Sequence, residues 1–111
     1  MAEYIISLVI YGLISLIMIG IGVSQIKSKD PVGFYTHEKA PRKQEIIDVA
    51  AWNKKHGMMW ISYGVALIGA HIVCLFIGDA IVASVLLIGA TVVPLPMMMW
   101  YHAGLKKRYY R

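Results

Sequence analysis

His71 and Cys74, three residues apart, are the pair in this sequence best suited to chemistry. Residues three apart share one face of a helix, and imidazole and thiolate are both zinc ligands. Zinc in proteins takes about four ligands, so this pair alone does not predict a metal site. His71 also stands inside a long apolar run, where an ionisable side chain is costly and often functional. Two interpretations stay open: a hydrogen-bonded core histidine, or a group that handles a ligand or a proton.

A second polar group stands in the segment "AAWNKKHG", directly before another part of the same apolar run. Its two lysines already supply the charge that is usual at the cytoplasmic end of a membrane span. That role does not require the other polar and aromatic residues of the segment, Trp52, Asn53 and His56. We therefore expect them to hold the preceding loop at its "GFYT" segment, residues 33–36, by stacking and hydrogen bonds, for which they carry ample donors.

Catalytic motifs are missing from the sequence. It has no nucleophile elbow, no phosphate-binding loop, no His-x-x-x-His or Glu-x-x-His pair, and no carboxylate within its apolar runs. The consecutive residues Met97, Met98 and Met99 point in different directions on a helix, so they cannot converge on a soft metal ion. The sequence therefore predicts a protein that is not an enzyme and that holds neither a metal nor a cofactor.

Three apolar runs must position these residues. They cover residues 4–23, 57–78 and 80–101, in a chain of 111 residues that is 59% hydrophobic and 15% charged. Each run has about the 20 residues that a helix needs to cross a bilayer, and lipid forces such a segment to be helical. We predict an all-α integral membrane protein with one domain, residues 1–111, and three transmembrane helices.

The loop between the first two runs, residues 24–56, has two parts. The stretch "KSKDPVGFYTHEKAPRK" contains prolines and a glycine and is expected to be irregular. From Gln44 onward, Ile46, Val49, Ala50 and Asn53 follow the i, i+3, i+4, i+7 spacing of an amphipathic helix. We therefore predict a cytoplasmic amphipathic helix that either continues into the second span or bends at Gly57.

The second and third spans are separated by only Gly78 and Asp79, which predicts an antiparallel hairpin. Pro94 and Pro96 each remove a backbone donor from the third span, so we expect a kink or an unwound turn there. That kink either adjusts packing or turns freed carbonyls toward a ligand or water.

Basic residues predict the orientation of the chain. All 11 lysines and arginines fall in the 24–56 loop or in the 102–111 tail. The positive-inside rule makes that face cytoplasmic and places the N-terminus outside. The net charge of +5 then lies against an anionic leaflet, so the bilayer is the expected partner and nucleic acid is not.

Two loop segments carry a family resemblance. "GFYTHEKAP" and, after a spacer, "AAWNKKHGMMWISYGVALI" resemble the SdpI-type toxin-immunity family and related small bacterial membrane proteins of unknown function. Gly33 and Thr36 match the first element of that signature, and Tyr35 takes the place of its basic residue. The second element is matched by Trp52, Asn53, His56 and Gly57. The resemblance implies a multi-pass, non-enzymatic protein of the bacterial inner membrane whose cytoplasmic loop is its most constrained region.

The leading hypothesis is a protein that binds a membrane-active toxin, a regulator or a partner subunit. The alternative is a small transporter, or a subunit of one, that works as a homo-oligomer, because three helices cannot enclose a pore alone. Its pocket would lie near Pro94, Pro96 and His71. The candidate binding residues are Gly33, Tyr35, Thr36, Trp52, Asn53, His56 and His71.

Overall fold

A computed structural model describes residues 2–34 and 39–111, with side chains from residue 5 onward. Its helices are α1 (Ala2–Lys27), α2 (Val49–Cys74), α3 (Ala80–Val92) and α4 (Pro94–Tyr109), and a 3-10 helix spans Lys43–Glu45. Three helical segments are long and apolar enough to cross a membrane, the third of them made of α3 and α4 together. The predicted all-α class with three such helices is confirmed.

The predicted amphipathic helix between the first two spans is not seen in the described loop residues. After the short Lys43–Glu45 helix, Ile46 is extended, and α2 begins at Val49. The Asp48 carboxylate accepts a hydrogen bond from the backbone N–H of Ala51 at 3.1 Å, which caps the start of α2. The later positions of the amphipathic pattern therefore belong to the first turns of α2, while Ile46 packs elsewhere.

The antiparallel helices α1 and α2 cross at small residues. A side-chain carbon added to Gly22 would overlap the backbone oxygen of Gly57, and one added to Gly57 would overlap that of Gly22. Farther along, a carbon on Gly64 would lie 2.8 Å from the backbone oxygen of Ser15. Small residues at such crossings let two membrane helices approach at backbone distance.

The hairpin between α2 and α3 is closed by side chains at its turn. Asp79 caps α3 by accepting from the N–H groups of Ile81 and Val82, at 2.8 and 3.2 Å. The Cys74 thiol points at the carbonyl of Ala83, at 3.6 Å. The connection between the helices is therefore short and held at both ends.

The helical hydrogen-bond pattern is interrupted between α3 and α4, where the sequence predicted a kink. Val93 keeps helical dihedral angles (φ −59°, ψ −40°), so the chain does not turn away. The Tyr63 hydroxyl donates to the carbonyl of Thr91 at 2.5 Å. One carbonyl beside the break is thus bonded within the bundle, which agrees with the packing interpretation.

The bundle is elongated, measuring 52 × 22 × 22 Å, with α2 packed between α1 and the α3–α4 arm. Large apolar side chains are exposed along its sides, for example Leu16 and Ile81 at 65% and 75%. Among the side chains that the structure describes, the buried polar ones are Ser15, Asn53, His56, His71 and His102. Exposed apolar side chains together with buried polar ones are the distribution expected where lipid surrounds a helical bundle.

Candidate functional site

Trp52 and Asn53, on the first turn of α2, hold the loop that follows α1. The Asn53 side-chain amide donates to the carbonyls of Ser28 and Asp30 at 3.1 and 2.9 Å, and its oxygen accepts from the N–H of Val32 at 3.0 Å. Trp52 Nε1 donates to the carbonyl of Val32 at 2.9 Å. Both side chains are fully buried. We call these four bonds the loop clamp; they fix a segment that has no regular structure of its own.

A pair of histidines lies directly beneath the loop clamp. His56 Nδ1 is 2.8 Å from the carbonyl oxygen of Trp52, which can only accept, so this nitrogen carries the proton. In a neutral ring Nε2 is then the acceptor, and it accepts a hydrogen bond from the N–H of His102 Nδ1 at 2.8 Å. The pair joins α2 to α4, and both rings are at most 1% exposed.

Aromatic rings enclose the histidine pair. The ring of Trp52 lies 4.2 Å from that of His56, and the ring of Phe34 lies 4.8 Å from that of His102, measured between centroids. Phe34 belongs to the loop after α1. Three parts of the chain, the loop, α2 and α4, therefore meet at one aromatic and imidazole cluster.

The last residues of the chain close this cluster from the side. Ile47 N–H donates to the carbonyl of Tyr109, and Arg111 N–H donates to that of Glu45, both at 2.8 Å. These bonds form an isolated antiparallel bridge at Ile46 and bury that residue to 2% exposure. Its burial against the tail explains why Ile46 does not join a helix.

The short helix beside this bridge is held by an ion pair. Arg42 Nε donates to the Glu45 carboxylate at 2.9 Å. That hydrogen bond, with a second from the Arg42 backbone N–H, holds the pKa of Glu45 below its ordinary value of 4.5. Glu45 is charged at neutral pH, and its exposed ion pair with Arg42 joins the two ends of the 43–45 turn.

His71 lies apart from this cluster, 15 residues along α2 from His56, or roughly 22 Å at 1.5 Å per residue. Its Nε2 is 3.2 Å from the Ser7 hydroxyl, and its ring is 4.3 Å from that of Tyr11. Its Nδ1 is buried without a hydrogen-bond partner among the described residues. His71 thus packs against α1, whereas Cys74 faces Ala83 on α3.

Within residues 2–34 and 39–111, no group of three His, Cys, Asp or Glu side chains could hold a metal ion. The His71–Cys74 pair gains no third ligand, since hydroxyl, aromatic and carbonyl groups surround it. The two side chains are thus engaged by different helices rather than by one ligand.

The structure brings together three of the predicted site residues, Trp52, Asn53 and His56. Gly33 follows the clamped segment directly, and a carbon added to it would lie 3.5 Å from Ala40. Tyr35 and Thr36 lie outside the described residues, so their expected contact with Trp52 stays a prediction.

The candidate residues predicted from the sequence did not include His102, although a signal for its position was present. His56 and His102 stand at similar distances from the hairpin turn at Asp79, 23 residues on each side. In an antiparallel hairpin such residues lie at the same depth. Counting outward from the turn would have placed the two histidines side by side.

Comparison of the chain with known protein families, with curated proteins and with solved structures finds no match.

Proposed function

We propose that this protein is a non-enzymatic membrane protein that binds a membrane-active toxin, a regulator or a partner subunit. In this proposal it belongs with the SdpI-type proteins of the bacterial inner membrane, and its loop and tail face the cytoplasm. The observation that carries the proposal is the loop clamp. Polar residues that only mark the end of a membrane span lie at its surface, whereas Trp52 and Asn53 are buried and bonded to a loop.

The loop clamp also assigns different roles to the candidate residues. The polar side-chain atoms of Trp52 and Asn53 are bonded to the protein's own backbone. The proposal therefore treats these two as positioning residues, which hold the chain as far as Val32, and assigns the partner contacts to the residues that follow, 33–36. Fixing the chain directly before a binding segment favours binding because less conformational freedom is lost on association.

Site-specific photo-crosslinking in native membranes tests this proposal. A photoreactive amino acid at Thr36 should give a discrete protein or peptide adduct, and the same group at the exposed, lipid-facing Val85 should not. The adduct should disappear in Asn53→Ala, measured well below the unfolding temperature of that variant, where its helical content equals that of the unmodified protein.

An adduct at Thr36 that is unchanged by Asn53→Ala would contradict a role for the loop clamp in binding. Identical adducts at Thr36 and Val85 would contradict a binding loop altogether. A defined homo-oligomer that takes up a solute would instead support the transporter alternative.

A further inference from the structure

An apolar groove runs between α2 and α4 on the outside of the bundle. Its volume is about 420 Å³, and four methionines, Met58, Met59, Met97 and Met98, line it together with Ala66 and other residues. It exists because α2 meets α4 through large side chains, whereas glycines bring α2 and α1 together. Methionine is flexible and polarisable, so such a groove adapts to an apolar ligand of variable shape.

A second pocket of about 320 Å³ adjoins the groove at the end that carries the basic residues. Lys55 and Tyr101 line both spaces, and Arg108 and Trp100 are among the other residues that line the second. Among the described residues, neither Lys55 nor Arg108 has a carboxylate within 4.0 Å. Two cations with no acidic partner in the described part of the chain thus lie where the apolar groove ends.

The residues that line the groove and the second pocket lie at depths that match the hydrocarbon and headgroup layers of a bilayer. Trp100 is 82% exposed and Tyr101 39%, and both ring types are enriched at the level of lipid headgroups. From Lys55 to Ala66 the groove follows α2 inward for roughly 16 Å at 1.5 Å per residue. Charge at the interface and an apolar channel beneath it are the two parts of a phospholipid site.

We propose that the protein binds one anionic phospholipid between α2 and α4. Lys55 and Arg108 hold its phosphate, and the methionine-lined groove holds one acyl chain. A helix 10–12 Å wide and of the same length would displace roughly 1,300 Å³, about three times the groove volume, so a peptide helix fits less well. Basic pockets between membrane helices are suited to anionic headgroups.

The test measures which lipid the delipidated full-length protein binds. Palmitoyl-oleoyl phosphatidylglycerol and phosphatidylcholine are added at equal concentration, and bound lipid is counted by native mass spectrometry. We expect one phosphatidylglycerol, preferred roughly twenty-five-fold, because the choline ammonium offsets the phosphate charge of phosphatidylcholine, whereas each of two basic residues near an anionic headgroup contributes about fivefold. Glycerol phosphate, which has no acyl chain, should not displace it.

Paired variants separate the two parts of the site. Lys55→Gln with Arg108→Gln should abolish the preference, whereas Lys54→Gln with Lys107→Gln, an equal loss of charge at exposed neighbouring positions, should retain it. Ala66→Phe should weaken binding of both lipids by filling the groove, whereas Val65→Phe, next to it and outside the groove, should not.

Equal binding of both lipids by the unmodified protein overturns the proposal, whatever the variants do. Equal loss of preference in both charge variants also overturns it, because binding would then follow net charge alone. Displacement by glycerol phosphate would reduce the site to a free-phosphate site without a lipid.

Discussion

Asn53 shows how much one side chain contributes at the basic end of the bundle. It makes three hydrogen bonds to loop backbone and is fully buried. Asn53→Ala should lower the free energy of unfolding by about 3 kcal/mol, because it removes three hydrogen bonds of about 1 kcal/mol each. Reversible unfolding in mixed detergent micelles measures this.

The exposed Lys54 is the control for that change. Lys54→Ala should shift the free energy of unfolding by less than about 0.5 kcal/mol, as is usual for surface positions. Equal destabilisation by the two substitutions would show that the loop clamp contributes no specific stability.

The histidine pair should be energetically coupled. A double-mutant cycle of His56→Phe and His102→Phe should give a coupling energy of about 1–2 kcal/mol, because each ring loses its partner in the single variants. The cycle of His56→Phe with His71→Phe is the control and should be additive. Equal coupling in both cycles would contradict the direct 2.8 Å contact.

Residue types alone indicated that Trp52, Asn53 and His56 do more than add polar groups at the membrane surface. They did not indicate which backbone atoms these side chains bind. Their partners are backbone carbonyls and an N–H, which every residue possesses. The path of the loop decides which of these come within reach, and no pattern in the loop encodes that path. The role of Trp52 and Asn53 in binding a partner stays a prediction.

Among the helices, the crossing of α1 and α2 leaves the least room for change. Gly22→Ala should cost about 2–3 kcal/mol, because the added methyl meets the backbone of Gly57 and the two helices must move apart. Gly20→Ala, where no atom lies within 4 Å, should be neutral or stabilising by about 0.5 kcal/mol. Thermal unfolding in one detergent compares the two variants. Similar losses of stability would contradict a close contact between α1 and α2 at Gly22.

The helices were predictable to different degrees. Three uninterrupted apolar runs were enough for the three long helices, because lipid leaves such segments no other structure. The start of α2 was not predictable from periodicity. Ile46 fits a helical face in the sequence, yet it pairs with Tyr110, 64 residues away, while Asp48 caps the helix two residues later. Local pattern cannot anticipate a contact at that separation.

For the molecule as a whole, the distribution of charge predicts the orientation. In a Cys74→Ala background, Lys107→Cys should react with an impermeant thiol reagent only in inverted membrane vesicles, because its end carries all 11 basic residues. Ala80→Cys, at the opposite end and exposed, should react only in intact cells. The reverse pattern would refute the predicted orientation.

The order of contacts along the chain has a consequence for biosynthesis. The glycine crossing, the Ser7–His71 contact and the loop clamp all lie within the first 74 residues. Because a ribosome delivers the N-terminal part first, α1 and α2 can pair before the third span leaves the ribosome. His102 and the tail then add to a surface that already exists. A nascent chain stalled when α2 has left the ribosome and the third span is still inside it should therefore already protect the loop from protease.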